Sequence, residues 1–260
     1  MRSNAVRNIA TLSGGIMSFY SAYLAIQKYG KENVLLYFND TKWEHPDLYR
    51  FLDDIKHYLD KDIYYDSDGR NPEQVFFDNH FLGNNRVPLC SRILKAERLQ
   101  KLYKDGDNLI FGIGIEEHHR MQRIIAAYQV VYAKTGKYCH IEFPLIAQKI
   151  NRFKIEEWFL STGINRPYLY QMGFEHNNCS GGCVRQGKRQ WIKLLNVFPH
   201  IYREREILEE RFREKYGKGS FLKGITLKHL REQIEQKEED ALLDEKIFYG
   251  ECIGICQFEA

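Results

Sequence analysis

"IATLSGGIMSFYSAYLAIQKYG" occupies residues 9–30. An apolar run stops at Ser13-Gly14-Gly15, and residues 16–28 then carry apolar side chains at helical spacing. A buried strand that turns through glycines into a helix leaves amides at the helix start without intrahelical acceptors. The helix dipole favours negative charge at the same place. Glycines let the backbone approach an anion closely, and Ser13 and Ser18 add hydroxyl donors. The stretch is a candidate phosphate cradle; the plain alternative is a tight strand-to-helix turn.

Working outward, "NVLLYFND" is a second buried strand, and "HPDLYRFLDDIKHYL" is an amphipathic helix with Pro46 in its first turn. "KDIYYDSDGR" is a short strand entering a turn, "CSRILKAERLQKLYKDG" a helix, "NLIFGIGI" a strand with glycines at its exit, and "IEFPLIA" a further strand. Alternating buried strands and helices predict an α/β domain on a parallel sheet over residues 1–150. Residues 151–260 change character and predict a helical and irregular C-terminal part that carries cysteines. Within it, "KIEEWFLSTG" is a short helix, 187–217 a long charged helical stretch, and "TLKHLREQIEQK" a helix with a Thr cap.

Composition narrows the function class. The formal net charge of +3 gives no global attraction to nucleic acid. Charge is local instead: "CVRQGKRQWIK" (183–193) is basic and "EQIEQKEEDALLDEK" (232–246) acidic, each readable as a solvated helix face. Arg185, Lys188, Arg189 and Lys193 offer either a polynucleotide contact or a clamp over a small anion. No run of about 20 apolar residues offers a bilayer span, and no signal peptide is visible, so a cytoplasmic protein without a membrane partner is expected.

Ligands of an open parallel sheet bind at the carboxyl ends of its strands. Three exits carry polar or glycine residues there: the Ser-Gly-Gly loop, Asp40-Thr41, and Gly112, Gly114, Glu116 and Glu117. Ser91, Arg92 and Lys95 lie near a helix start, with cations suited to phosphate or sulfate. His118 and His119 follow the Glu pair as surface residues or acid–base groups, and Trp43 is a packing residue or a base-stacking one.

With these residues in place, the chain resembles the phosphoadenosine phosphosulfate (PAPS) reductase-like branch of the adenine nucleotide alpha hydrolases, the PP-loop proteins. "LSGGIMS", "FNDTKWEHPDLYRFL", "CSRILKAERL", "GIGIEEHHR", "RPYLYQMGFEHNNCSGGC" and "GECIGIC" resemble six blocks of that branch in order. Small orphan proteins of phages and mobile elements are the most similar members. The resemblance implies a Rossmann-like (HUP-type) parallel sheet and an adenine nucleotide, either a sulfonucleotide or ATP. It implies that Ser13, Gly14, Gly15 and Ser18 hold phosphate or sulfate, and that Asp40 and Thr41 lie near the ribose or reacting phosphate. Ser91, Arg92 and Lys95 would bind anionic oxygens, and Gly112, Gly114 and Glu116 would sit beside the nucleotide. Asp40, Glu116 and the tail thiol Cys252 are the candidate catalytic groups. Enzymes of the superfamily that cleave ATP carry an Asp where this chain has Met17. Magnesium would then need Asp40 or Glu44, and a sulfonucleotide is favoured.

Six cysteines in a reducing compartment call for something other than structural disulfides. Cys179 with Cys183, and Cys252 with Cys256, form two C-x3-C pairs. Four thiolates suit a [4Fe-4S] cluster or zinc. The alternatives are a redox pair served by a thiol reductant or sulfur donor, and separate free thiols. Three function classes stay open: sulfonucleotide reduction, ATP-dependent adenylation of a nucleic acid or other acceptor, and a non-catalytic nucleotide-binding subunit.

Overall fold

The computed structural model describes residues 6–236. Cys252, Cys256 and most of the acidic run lie outside the described residues.

The apolar run that precedes the glycines forms β1 (Asn8–Leu12), and α1 (Ile16–Tyr29) follows at once. Next come β2 (Val34–Asn39), α2 (Pro46–Leu59), β3 (Ile63–Asp66) and α3 (Pro72–Asp78). A short helix α4 (Leu89–Ser91) continues through a π-helical turn (Arg92–Ala96) into α5 (Glu97–Leu102). Then follow β4 (Asn108–Phe111), α6 (His118–Thr135), β5 (His140–Glu142), α7 (Pro144–Ala147), α8 (Arg152–Ser161) and α9 (Tyr168–Gln171). The described chain ends with α10 (Lys188–Val197), α11 (Pro199–Tyr216) and α12 (Leu227–Gln236).

All five strands are parallel, in the order β3-β2-β1-β4-β5. In register, Leu12 faces Phe38 of β2, and Thr11 faces Phe111 of β4. The chain leaves β1 toward β2 on one side and later returns to pair β4 on the other. That reversal opens a crevice at the carboxyl ends of β1 and β4, which is the position of the Ser-Gly-Gly loop. The sheet is the parallel one that the alternation of strands and helices predicts, and the fold is Rossmann-like, as the family resemblance implies.

Two apolar bodies hold this frame. On one face of the sheet, Phe19 of α1 meets Phe51 and Trp158 edge-on, and Trp158 stacks on Tyr20 with centroids 4.1 Å apart. Each fully buried ring contributes about 1.5–3 kcal/mol. Trp158 is thus a packing residue. The second body joins Val75, Phe76 and Leu94 to Trp191, Leu194, Tyr202, Phe212 and Leu230. It links residues on both sides of position 150, so the C-terminal helices complete the core of the chain that precedes them.

Two local expectations change and a third holds. "IEFPLIA" is strand only to Glu142, because Pro144 opens α7, where its missing N–H costs nothing. The stretch 187–217 is two helices. Phe198, which precedes Pro199, takes φ −132° and ψ 68°, outside the helical region that a following proline disfavours. The Thr cap does form: Thr226 Oγ1 accepts from the His229 N–H at 3.2 Å. Nearby, the fully buried Glu209 accepts from the amides of Phe221 and Leu227 at 2.8 and 2.6 Å, which fixes the start of α12. No helix among the described residues is long and apolar enough to cross a membrane.

Candidate nucleotide site

The glycine loop is built for close approach. Gly14 has φ +77°, and a Cβ there would stand 2.5 Å from Leu48. Ser18 Oγ accepts from the Ser13 amide at 3.0 Å and donates to Gly15 O at 2.8 Å, so it staples the loop to the first turn of α1. Asn177 Nδ2, 163 residues further along the chain, donates to Gly14 O at 2.8 Å. Gly112, at the exit of β4, lies against the same turn: a Cβ there would be 2.4 Å from Ser18 Cα.

Two cavities meet over this loop. The first, about 340 Å³, is lined by Gly15, Met17, Glu117, Asn177, Cys183 and Gln190 among others. The second, about 380 Å³, is more apolar, with Leu12, Phe111, Ile113, Ala127 and Tyr128 in its wall, beside Asn39, Ser91 and Arg123. Ser13, Ser18, Lys95, Gly112, Arg120 and Arg185 line both. The seam between the cavities therefore combines two serines and a glycine with three cations. Such a wall attracts anions, and its apolar side suits a heterocycle.

The remaining named residues sit as follows. Thr41 is buried and donates to Glu44 Oε1 at 2.9 Å. Asp40 Oδ1 accepts from the Lys42 amide and from Tyr49 OH, both at 2.8 Å, and lines neither cavity. Glu116 and Arg92 are exposed and also line neither; Arg92 faces Glu97 at 3.6 Å. Gly114 packs against Met17, since a Cβ there would be 2.9 Å from Met17 Sδ. Glu117 lines the first cavity and pairs with Arg120. Trp43 carries the Arg205 guanidinium 3.7 Å above its ring centroid. In the basic segment, Arg185 lines both cavities, whereas Lys193 donates to Gly173 O at 2.6 Å. His118 and His119 are exposed at the start of α6.

One side chain gathers three of the sequence blocks. Glu44 is buried and accepts from Thr41, from Lys95 at 3.4 Å, and from the Cys179 amide at 2.6 Å. Burial works to lower the Lys95 pKa, but the Glu44 carboxylate and the neighbouring thiols outweigh it and raise it. The neighbouring Cys179 thiol lowers the Cys183 pKa, and the Cys183 thiol raises that of Cys179, which burial raises further. Burial pushes the Cys90 thiol up to about 11. Cys139 lies apart, half-buried on the core around Tyr103.

Among the described residues no group of three or more His, Cys, Asp or Glu side chains is arranged to hold a metal ion. Cys179 and Cys183 are two thiols with a lysine ammonium beside them, and that positive charge stands where a cation would need ligands. The described residues alone thus do not fit a cluster or zinc, and the other two thiols of the four-cysteine reading lie outside them. Neither Asp40 nor Glu44 reaches the cavities as a magnesium ligand.

A switch-point crevice, a glycine loop leading into a helix, and cations at its rim define an α/β protein of the nucleotide-binding class. Residues 7–186 match the family model of the phosphoadenosine phosphosulfate reductase domain, so the chain belongs to that family of the PP-loop superfamily, whose members bind an adenine nucleotide. Neither a curated protein nor a solved structure matches it.

Proposed function

We propose that the protein binds an adenine sulfonucleotide and reduces its sulfate with thiol electrons. The observation that carries this reading is the seam. Ser13, Ser18 and Gly112 face the same space as Lys95, Arg120 and Arg185, with an apolar wall on one side and a thiol on the other. In this reading the adenosine packs against Leu12, Phe111 and Tyr128. The anionic groups lie along the seam, where each charge-assisted hydrogen bond contributes about 1.5–3 kcal/mol. The sulfate then faces the first cavity, where Cys183 is found. Met17 in the loop, and carboxylates that are engaged elsewhere or paired with arginine, favour a sulfonucleotide over magnesium-dependent cleavage of ATP.

Titration calorimetry tests the reading with adenosine 5′-phosphosulfate, its 3′-phosphorylated form, AMP and ATP with magnesium. A sulfonucleotide should bind more tightly than ATP and without help from magnesium. Arg185→Ala removes an exposed cation from the seam, so it should weaken binding about tenfold, equivalent to ~1.4 kcal/mol. Tight ATP binding that requires magnesium and leads to pyrophosphate release would instead establish the adenylating reading. Binding of every nucleotide with no turnover would establish a non-catalytic nucleotide-binding subunit.

A further inference from the structure

We infer that the first cavity is a second binding site, for a small zwitterion of the α-amino acid type, with Asn177 Oδ1 and Glu117 receiving its ammonium and Gln186 Nε2 and Arg185 receiving its carboxylate. The inference goes beyond the nucleotide reading and does not depend on it.

Three buried side-chain atoms on residues of this one wall have no hydrogen-bond partner among the described residues: Asn177 Oδ1, Glu117 Oε2 and Gln186 Nε2. Buried polar groups are almost always paired, so three orphans around a single cavity mark a place built for a ligand. The orientation of Asn177 is settled by its other end. The residue is 3% exposed, and Nδ2 is committed to Gly14 O at 2.8 Å, so the amide cannot turn over to present its N–H groups instead. Glu117 is held through its other oxygen, which Arg120 engages. The Gln186 backbone is held by its own N–H, which donates to Cys183 O at 3.1 Å.

The chemistry of the orphans excludes the anion that suits the seam. Phosphate and sulfate oxygens are acceptors, as are Asn177 Oδ1 and Glu117 Oε2, and acceptors set against acceptors gain nothing. Those two oxygens need N–H or O–H donors, whereas the Gln186 amide needs an acceptor. The ligand therefore carries both kinds of group.

Charge narrows the class further. The seam presents cations, but the rest of this wall adds two carboxylates, Glu117 and Glu175, and Gln190 Nε2 donates to Glu175 Oε1 at 3.2 Å. An ammonium brings three donors and a positive charge to the oxygens, and a carboxylate brings acceptors to Gln186 and Arg185. A neutral carboxamide has a donor and an acceptor but leaves both charges of the wall unanswered. The cavity of about 340 Å³ lies at the small end of the range for small-molecule sites, roughly 300–1,000 Å³, and so has room for one compact molecule.

The experiment screens the full chain, with and without saturating AMP, against the common amino acids by thermal shift, and follows each hit by calorimetry. At least one amino acid should raise Tm and bind with a Kd below about 1 mM. Its N-acetyl and methyl ester derivatives, each lacking one of the two charges, should bind at least about tenfold more weakly. Gln186→Leu should weaken the amino acid about tenfold and leave AMP affinity at the wild-type value. Amino acid and AMP should bind together, neither displacing the other. The absence of any hit in both conditions overturns the inference. Equal binding of either derivative, or full affinity in Gln186→Leu, also overturns it, because the ligand then lies elsewhere. Displacement of the amino acid by adenosine alone does the same, since the wall is then the base pocket of the nucleotide site. A chain that binds the amino acid but no nucleotide defeats the nucleotide reading and leaves this inference standing. If Gln186→Leu fails to fold, the two derivatives decide the question on the wild-type chain.

Discussion

Gly112→Ala tests the contact on which the crevice depends. The glycine ends the β4 exit, and an added Cβ would stand 2.4 Å from Ser18 Cα, 2.7 Å from Ser18 N and 2.8 Å from Met17 O. All three neighbours are backbone atoms, so no side chain can swing aside. Ordinary contact begins at 3.4 Å, and the two backbones must therefore part by about 1 Å. One of them is the first turn of α1, and the other belongs to a strand in register with β1. Overpacking of this kind costs about 2–3 kcal/mol, a fall in Tm of roughly 5–10 °C for a chain of this size. The displacement also pulls Ser18 from the Ser13 amide, so nucleotide affinity should drop at least about tenfold. Thermal unfolding and calorimetric titration read the two effects. Gly187→Ala, where nothing lies within 4 Å of the added carbon, serves as the stability control. If Gly112→Ala matches that control in Tm and keeps wild-type nucleotide affinity, the close packing of strand exit on loop is refuted as the basis of the site.

Two further outcomes follow from buried carboxylates. Glu44→Ala leaves the Cys179 amide and the Thr41 hydroxyl without their acceptor and Lys95 without its counter-charge. A loss of about 3 kcal/mol in urea unfolding is expected, and a loss below about 1 kcal/mol would show that the three segments do not depend on it. Burial raises the Glu209 pKa to about 7, against the two amide bonds that lower it. The folded chain therefore keeps, between about pH 4.5 and 7, a proton that the unfolded chain releases. The Glu209 contribution is fully present below that window and disappears as pH rises through it, by about 3 kcal/mol in all. Unfolding free energies measured across the window for wild type and Glu209→Gln should converge or cross by that amount; a pH-independent difference between them contradicts the assignment.

The sheet was legible because its strands are apolar runs that end in turn residues, and the order of blocks gave the family. Helix α6 was not. Only Tyr128 of its 18 residues is fully buried, and the stripe it forms with the half-buried Ile124 and Val131 is narrow and flanked by exposed apolar side chains such as Val130 and Tyr132. Helix α3 was missed as well, although Asn71 and Gln74 form a capping box around Pro72. At the site, the glycine loop and Lys95 could be found from local pattern, and so could Gly112. The Glu44 hub could not, because its partners stand 51 and 135 residues away and only the fold brings them together. Arg120 closes the block GIGIEEHHR that the family resemblance had flagged, yet nothing in its identity showed that it would line both cavities. Asn177 stood inside a block that the family resemblance had flagged, yet nothing in its identity showed that it would hold Gly14 O.

The second apolar body has a consequence for where this protein begins and ends as a folding unit. The segment that matches the family stops at residue 186, but Trp191, Leu194, Tyr202, Leu208, Phe212, Phe221 and Leu230, all beyond it, close over Val75, Phe76, Leu89 and Leu94 within it. A chain cut at the edge of the family match would expose that surface next to the very helix that bears Lys95. Homology and cooperativity therefore draw different borders here. The matched part carries the loop and the sheet, while the part beyond the match packs against the cation-bearing helix. A substitution among the bracing helices can therefore alter what the loop holds without touching the loop itself.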